Sequence, residues 1–150
     1  MKGQALLLAA GLVAIDQALK MAVERTLPVG HSVPLIRGIL SLTHVANPGL
    51  ALGLFRNVPP PLALLLTLTA LLAILYNRVR WRGGRTDVAF SLILGGALGN
   101  LLDRLRVGHV VDYVDLRYWP VFNLADVAVT LGVVLLLVTL GTPQKQGGAA

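Results

Sequence analysis

The sequence contains no cysteine, few charged residues and few aromatic residues. Of 150 residues, 13% are charged, whereas about 25% are charged in an average soluble domain. The absence of cysteine excludes disulfides, thiolate nucleophiles and cysteine-based metal sites. The low charge, the 55% hydrophobic content and the mean hydropathy of +0.74 argue against a water-soluble globule.

Four apolar stretches account for most of the hydrophobic residues. They cover residues 5–15, continuing to about residue 23, and then residues 62–76, 88–102 and 121–140. At about 20 residues per crossing, four spans use roughly 80 residues and leave roughly 70 for loops and termini. The sequence therefore predicts an all-α membrane protein with four transmembrane helices, forming a single polytopic domain over residues 1–141, followed by a flexible tail at residues 142–150.

The basic residues indicate how these helices are oriented. The net charge is +6, and residues 78–85, between the second and third stretches, contain four arginines. The positive-inside rule places this loop in the cytoplasm together with both termini, near which Lys2 and Lys145 lie. No basic patch is interleaved with aromatic residues, so we expect no nucleic acid partner.

Two connections then face the extracytoplasmic side, at residues 24–61 and 104–120. In the first, the partial alternation of residues 39–45 predicts a short strand within a small β-sheet at the membrane surface. In the second, a short interfacial segment is expected to carry an aromatic belt. The belt consists of Tyr113, Tyr118, Trp119 and Phe122.

Several polar residues are not explained by an apolar scaffold. Asp16 and Lys20 are four residues apart and can pair on one helical face, which by itself favours a structural ion pair. Residues 47–53, beginning with Asn47 and Gly49, form either a tight turn or a loop that presents Asn47 and bare backbone to a ligand. Glu24, Asp87 and Asp115 are interpreted as surface charge.

The third stretch combines small residues with polar residues at its outer end. Gly95 and Gly99 are four residues apart, which favours close helix packing. Asn100, Asp103 and Arg104 follow. Asn100 and Asp103 share one helical face, and a local charge network is the favoured interpretation for Asp103.

The strongest candidate site combines Asp112 with Asp126. Asp112 lies just outside the third helix and Asp126 in the first turns of the fourth, so both carboxylates reach the same membrane face. Asn123, three residues before Asp126, can bond to the same site. Helix capping explains these residues about as well as chemistry does.

Two adjacent carboxylates in a partly apolar setting cannot easily both ionise, so one keeps its proton near neutral pH. The ionised group can deprotonate water, and the protonated group can polarise a carbonyl. Peptide hydrolysis needs these two roles and no metal. The three histidines show no zinc-peptidase spacing, and no serine lies in a nucleophile-elbow motif.

Five motifs, in order along most of the chain, resemble those of the lipoprotein signal peptidases, the type II signal peptidases of bacteria. They are Asp16-Gln17 with Lys20, residues 47–53, Gly99-Asn100 with Asp103-Arg104, Val110-Val111-Asp112, and residues 122–126. The resemblance implies a four-helix inner-membrane aspartyl peptidase that cleaves prolipoprotein signal peptides before the diacylglyceryl cysteine. Pro48, Leu50 and Leu52 depart from the usual loop pattern of that family.

The resemblance also implies roles for individual residues. Asp112 and Asp126 match the catalytic dyad, and Asp103 matches a supporting acid. The residues implied to bind the substrate or support the site are Asp16, Lys20, Asn47, Gly49, Asn100, Asp103, Arg104 and Asn123. We expect no metal or cofactor, a monomer in contact with membrane lipids, prolipoprotein substrates, and an active site at the extracytoplasmic face of the bacterial cytoplasmic membrane.

Two other classes of function remain open from the residues alone. A small transporter would use intramembrane acids as an ion path, but it needs them distributed through the membrane depth. A non-enzymatic assembly subunit would use the small-residue faces for packing and would tolerate the loss of both carboxylates.

Overall fold

The computed structural model describes residues 3–49, 59–80 and 84–141. In chain order they form α1 (Gly3–Thr26), β1 (Ser32–Ile36), β2 (Leu40–Asn47), α2 (Pro60–Arg80), α3 (Gly84–Val107), β3 (Val110–Asp115) and α4 (Leu124–Gly141). Leu50, Leu52 and the rest of the loop up to residue 53, Lys2, residues 81–83 of the arginine-rich loop, and the tail with Lys145 lie outside the described residues. The prediction of a mostly helical chain with a small sheet is confirmed.

Among the described residues, three helices are long and apolar enough to cross a membrane. These are Gly3–Thr26, Gly84–Val107 and Leu124–Gly141, and α2 contains a shorter apolar stretch, Pro61–Ile74. Their outward faces carry exposed leucines and valines, among them Leu7, Leu72 and Leu137. Apolar side chains on the outside of a bundle are stable in lipid, which is as apolar as the side chains themselves.

Helix α3 lies at the centre of the bundle, in contact with α1, α2 and α4. Bare glycine backbone makes the closest of these contacts possible. A Cβ on Gly95 would lie 3.0 Å from the carbonyl oxygen of Ala9 on α1, and a Cβ on Gly96 would collide with the carbonyl oxygen of Ala125 on α4. The predicted close packing by the small residues of the third helix is therefore confirmed.

The three strands form an antiparallel sheet in the order β1-β2-β3. The strand expected within residues 39–45 is present as β2, whereas the sequence reasoning missed β1 and β3. In the pairing of β2 with β3, Val45 is opposite Asp112 and Asn47 is opposite Val110. The register therefore brings Asn47 to the strand that carries Asp112.

The aromatic belt was only partly correct. Tyr118 and Trp119 are exposed, but Tyr113 is buried with Val23 and Val111 in the core between the sheet and α1. Its hydroxyl accepts a hydrogen bond from the backbone N–H of Leu124. Tyr113 alternates with Asp112 along β3, so its ring points into the core and has no place in the membrane interface.

The ends of α3 and α4 set the position of β3. Gly108 follows the last residue of α3 with a φ of 80°, and its N–H donates to the carbonyl oxygen of Arg104. A left-handed residue after the last turn is a common helix end, and glycine adopts it without steric cost. The chain then reverses into β3, which returns Asp112 towards α4.

Replacement of Gly96 by alanine should force α3 and α4 apart. The new Cβ would meet the Ala125 carbonyl and come within 2.8 Å of Val129 Cγ2, and overpacking of this kind costs about 1–3 kcal/mol. We expect Gly96→Ala to lower the thermal unfolding temperature in detergent, measured by tryptophan fluorescence. Gly11→Ala is the matched control because its Cβ meets nothing within 4 Å. Equal effects of the two substitutions would contradict this account.

Candidate active site

The fold brings Asp112 and Asp126 to a single cavity. Asp112 lies on β3 and Asp126 in the first turn of α4, and both line a cavity of about 610 Å3. Asn123 joins them, because its side-chain Nδ2 donates to Asp112 Oδ1 at 2.7 Å and its backbone N–H donates to Asp126 Oδ2 at 3.3 Å. The two acids that the sequence analysis singled out therefore share one immediate neighbour.

Asp112 is almost completely buried and accepts two short hydrogen bonds. Besides Asn123, the amide of Asn47 on β2 donates to Asp112 Oδ2 at 2.7 Å. Burial and the negative charge of Asp126 raise the pKa of Asp112 to about 7, against the opposing effect of these two amides. The pair can therefore hold a proton and a negative charge together near neutral pH.

The first turn of α4 holds Asp126 in place through its own capping interactions. Asn123 is the N-cap, with its Oδ1 accepting from the N–H of Asp126 at 2.9 Å, while Asp126 accepts in return from the N–H of Asn123. This is the reciprocal geometry of a capping box. The next free N–H, that of Ala125, donates to Asp16 Oδ1 at 3.0 Å. Both interpretations of Asn123 and Asp126, as capping residues and as neighbours of a reactive site, therefore fit this turn.

Lys20 is the centre of a buried charge cluster next to the dyad. Its Nζ lies 2.8 Å from Asp16 Oδ2, 2.8 Å from Asp103 Oδ2 and 2.8 Å from Asn100 Oδ1. The predicted pairing of Asp16 with Lys20 is present, but with two further partners from α3. An ammonium has three donors, and each of the three is used here.

Asn100 connects this cluster to Asp126. Its Oδ1 accepts from Lys20, and its Nδ2 donates to Asp126 Oδ1 at 2.9 Å. Asp103 has a different role, since its Oδ2 accepts from the backbone N–H of Val111 at 3.1 Å. Asp103 thus ties the end of α3 to the strand that carries Asp112, and it does not line the cavity.

Arg104 and the start of the loop after β2 complete the polar rim of the cavity. The guanidinium of Arg104 donates to the carbonyl oxygen of Gly49 at 2.8 Å and to that of Asn100 at 3.3 Å. The N–H of Gly49 donates to Asn47 Oδ1 at 2.9 Å, which orients the Asn47 amide towards Asp112. The described part of this loop is therefore the tight turn of the first alternative, and it places the Asn47 amide against Asp112.

The remaining cavity wall is apolar and comes from α2, α3 and α4. Two threonines lie in this wall, Thr67 and Thr130, and their hydroxyls donate to the carbonyl oxygens of Ala63 and Asp126 in their own helices. The other apolar wall residues on these helices are Leu66, Ala70, Ala97, Val129, Val133 and Val134, and Val110 of β3 also lines the cavity.

The sequence reasoning missed two contributors to this region. Gln17 was noted in a motif but given no role, and its Nε2 donates to Asp103 Oδ1 at 2.9 Å and to the carbonyl oxygen of Gly99 at 3.1 Å. Glu24 was interpreted as surface charge, but it pairs with Arg106 at 2.8 Å across the ends of α1 and α3. The position of Gln17 next to Asp16 in the sequence could have indicated its role. The pairing of Glu24 could not be predicted, because it depends on α1 packing against α3.

Removal of the Asp103 charge should destabilise the fold. Lys20 would lose one of its two carboxylates, and the new amide NH2 would face donors at one of the two former oxygen positions, either Gln17 or Lys20 with the Val111 N–H. Breaking a buried ion pair costs about 3–5 kcal/mol. We expect Asp103→Asn to lower the unfolding temperature in detergent.

Asp115→Asn is the control for this experiment. Asp115 is a half-buried strand-end acid that accepts from Thr43 Oγ1 and from the backbone N–H of Arg117. Its replacement should change the unfolding temperature little. A loss of stability in Asp115→Asn as large as that in Asp103→Asn would contradict the special role of the buried cluster.

Comparison with known proteins identifies the family. The family model described as signal peptidase (SPase) II matches residues 8–141. The lipoprotein signal peptidase of Halothermothrix orenii is 41% identical over 137 residues, covering 91% of this chain and 94% of that protein. The lipoprotein signal peptidase of Moorella thermoacetica is 42% identical over 144 residues, covering 95% and 96%.

The fold is similar to that of a solved protein. A bacterial membrane enzyme structure determined by the in meso method at 2.3 Å resolution superposes with a TM-score of 0.88. The two sequences are 31% identical, and the match covers 100% of this chain and 96% of the other. The sequence match over most of the chain and the matching fold lead to one conclusion: the chain belongs to the signal peptidase II family.

Proposed function

We propose that this chain is a membrane-embedded aspartyl endopeptidase that removes signal peptides from diacylglyceryl-modified prolipoproteins and cleaves before the lipidated cysteine. As a member of the signal peptidase II family it is a peptidase of lipoprotein processing. The observation that carries the two-aspartate mechanism is the meeting of Asp112 and Asp126, from different elements, on one cavity with Asn123 between them.

Two carboxylates that share one proton can perform the whole hydrolysis. The ionised carboxylate takes a proton from water while the water oxygen attacks the scissile carbonyl carbon. The protonated carboxylate gives its proton to the carbonyl oxygen, which produces a gem-diol. When the gem-diol collapses, one of its hydroxyls returns a proton to the carboxylate that had protonated the carbonyl oxygen. The carboxylate that had taken the proton from water then protonates the amide nitrogen as the C–N bond breaks. The products are a carboxylic acid and an amine.

The shape of the cavity suits a substrate that carries lipid. The dyad, Asn100 and Arg104 lie at its polar end, and the α2, α3 and α4 side chains form an apolar wall. An extended peptide could hydrogen-bond near Arg104 and Asn47 while its apolar side chains contact Val133 and Val134. We infer that the substrate enters sideways from the bilayer, since its acyl chains can then remain in lipid.

We propose four membrane crossings, with both termini in the cytoplasm and the active site at the extracytoplasmic face of the inner membrane. Helix α2 has 21 residues, and at 1.5 Å per residue it is about 30 Å long, close to the thickness of the hydrocarbon core. Asn100 lies near the C-terminal end of α3 and Asp126 in the first turn of α4, whereas Arg85 lies at the opposite end of α3. Residues 1–141 then form one domain, active as a monomer.

Replacement of either dyad member should abolish cleavage. In Asp112→Asn or Asp126→Asn, one carboxylate cannot fill both proton-transfer roles, so kcat should fall by at least about 100-fold. The measurement is cleavage of a diacylglyceryl prolipoprotein by purified protein, with insertion and unfolding temperature checked for each variant.

Asp103→Asn is the companion variant in this assay. Asp103 supports β3 and lies outside the cavity lining, so the fraction that folds should retain partial activity. Full activity in a well-folded Asp112→Asn or Asp126→Asn protein would remove the dyad assignment. A loss in Asp103→Asn as deep as in the dyad variants, without loss of stability, would make Asp103 a catalytic acid.

The orientation can be tested by cysteine labelling, because the chain has no cysteine of its own. Tyr118 is exposed beside the sheet, and Gly84 is exposed at the opposite end of α3, where a Cβ would meet no atom of the described residues within 4 Å. In right-side-out vesicles, Tyr118→Cys should react with a membrane-impermeant maleimide, and Gly84→Cys should react only after permeabilisation. The reverse pattern would place the dyad on the cytoplasmic side and contradict the proposal.

A further inference from the structure

Asn100 lies between a cation and one member of the dyad. Lys20 Nζ is 2.8 Å from Asn100 Oδ1, and Asn100 Nδ2 is 2.9 Å from Asp126 Oδ1. An ammonium can only donate hydrogen bonds, so the Asn100 atom that faces it must be the oxygen. The amide nitrogen is then turned towards Asp126. Asn123 Nδ2 also donates to Asn100 Oδ1, at 3.1 Å, so Lys20 and Asn123 together set the orientation of Asn100.

The amides that contact Asp112 are held differently. Asn47 Oδ1 accepts from the backbone N–H of Gly49, and Asn123 Oδ1 accepts from the backbone N–H of Asp126. These are neutral donors, whereas the amide that donates to Asp126 is polarised by a full positive charge. The hydrogen-bond chain from Lys20 therefore favours negative charge at Asp126, whereas the oxygens of the two amides at Asp112 accept only from backbone N–H groups.

Two further features favour the anion at Asp126. Asp126 is the third residue of α4, where the free N–H groups and the helix dipole stabilise negative charge. It is also half-buried, whereas Asp112 is 1% exposed and has less access to solvent. The pKa of Asp112, raised to about 7 by burial and by the charge of Asp126, agrees with this asymmetry.

We propose that Lys20, acting through Asn100, is a positioning residue that keeps Asp126 as the ionised member of the dyad, so that the shared proton is on Asp112. This inference rests on the proposed peptidase activity. Asp126 is then the base that takes the proton from water, and Asp112 is the acid that protonates the carbonyl oxygen. Collapse of the gem-diol returns a proton to Asp112 and passes the Asp126 proton to the leaving nitrogen. The starting state is thereby restored.

The test is the pH dependence of kcat/KM for a diacylglyceryl peptide with wild-type protein and Asn100→Leu. The acidic limb of this profile reports the loss of the essential anion, and the basic limb reports the loss of the essential proton. Without the Asn100 amide the anion at Asp126 is less stabilised, so the acidic limb should move upward by about 1 pH unit. The basic limb, which belongs to Asp112, should move less.

Asn100→Leu is chosen because it leaves both salt bridges of Lys20 intact. Lys20→Gln removes the cation itself and should move the acidic limb in the same direction. If Lys20→Gln fails to fold because Asp16 and Asp103 lose their partner, the Asn100→Leu profile decides. Where both fold, the shift in the double variant should be smaller than the sum of the two single shifts, because part of the effect of Lys20 passes through Asn100.

Glu24→Gln is the matched control. Glu24 lies one turn after Lys20 on α1, and its salt bridge with Arg106 does not contact Asn100. Its pH profile should overlay that of the wild type. An unmoved acidic limb in Asn100→Leu, a shift confined to the basic limb, or additive shifts in the double variant would each overturn the inference. Absence of cleavage by the wild type would instead refute the proposed function.

Discussion

Lys20 carries a positive charge inside an apolar helix bundle, where an uncompensated ion would be strongly destabilising. Each of its three ammonium donors is therefore matched to an oxygen from a defined place, namely Asp16 on α1 and Asp103 and Asn100 on α3. These partners in turn bond to other elements. Asp16 accepts from the first turn of α4, and Asp103 accepts from β3. One buried charge thus links α1, α3, α4 and the sheet.

This network can form only because the helices approach closely. A Cβ on Gly99 would lie 2.6 Å from Asp16 Oδ2, so the absence of a side chain leaves room for the carboxylate against α3. Gly132 has the same effect between α4 and α3, since its Cβ would lie 2.8 Å from the carbonyl oxygen of Ala89. Small residues and buried polar residues are two parts of one arrangement, because close backbones shorten the distances that the polar groups must span.

Asn123 shows how stability and chemistry can use the same atoms. As the N-cap of α4 it satisfies the free N–H of Asp126, and with its amide nitrogen it contacts Asp112. A single side chain thus caps the helix and also contacts an acid of the candidate site. The helix end that must be capped in any case also sets the position of the two acids.

The sequence by itself determined the parts that depend on local pattern. The apolar runs predicted the helices, and the spacing of Asp16 and Lys20 predicted their contact. The motifs also indicated the acids and amides of the candidate active site. These features follow from hydrophobicity, helical periodicity and the chemistry of single side chains, none of which needs knowledge of distant neighbours.

Only the tertiary structure decided which distant residues meet. Strand β3 escaped sequence analysis because its apolar residues face a core formed with α1 and β2, and Tyr113 was misplaced for the same reason. The links from Lys20 through Asn100 to Asp126, and from Asp103 to the N–H of Val111, depend on helix packing. A sequence can show that Lys20 needs a partner, because buried charge is costly. The packing of α1 against α3 determines which oxygens provide it.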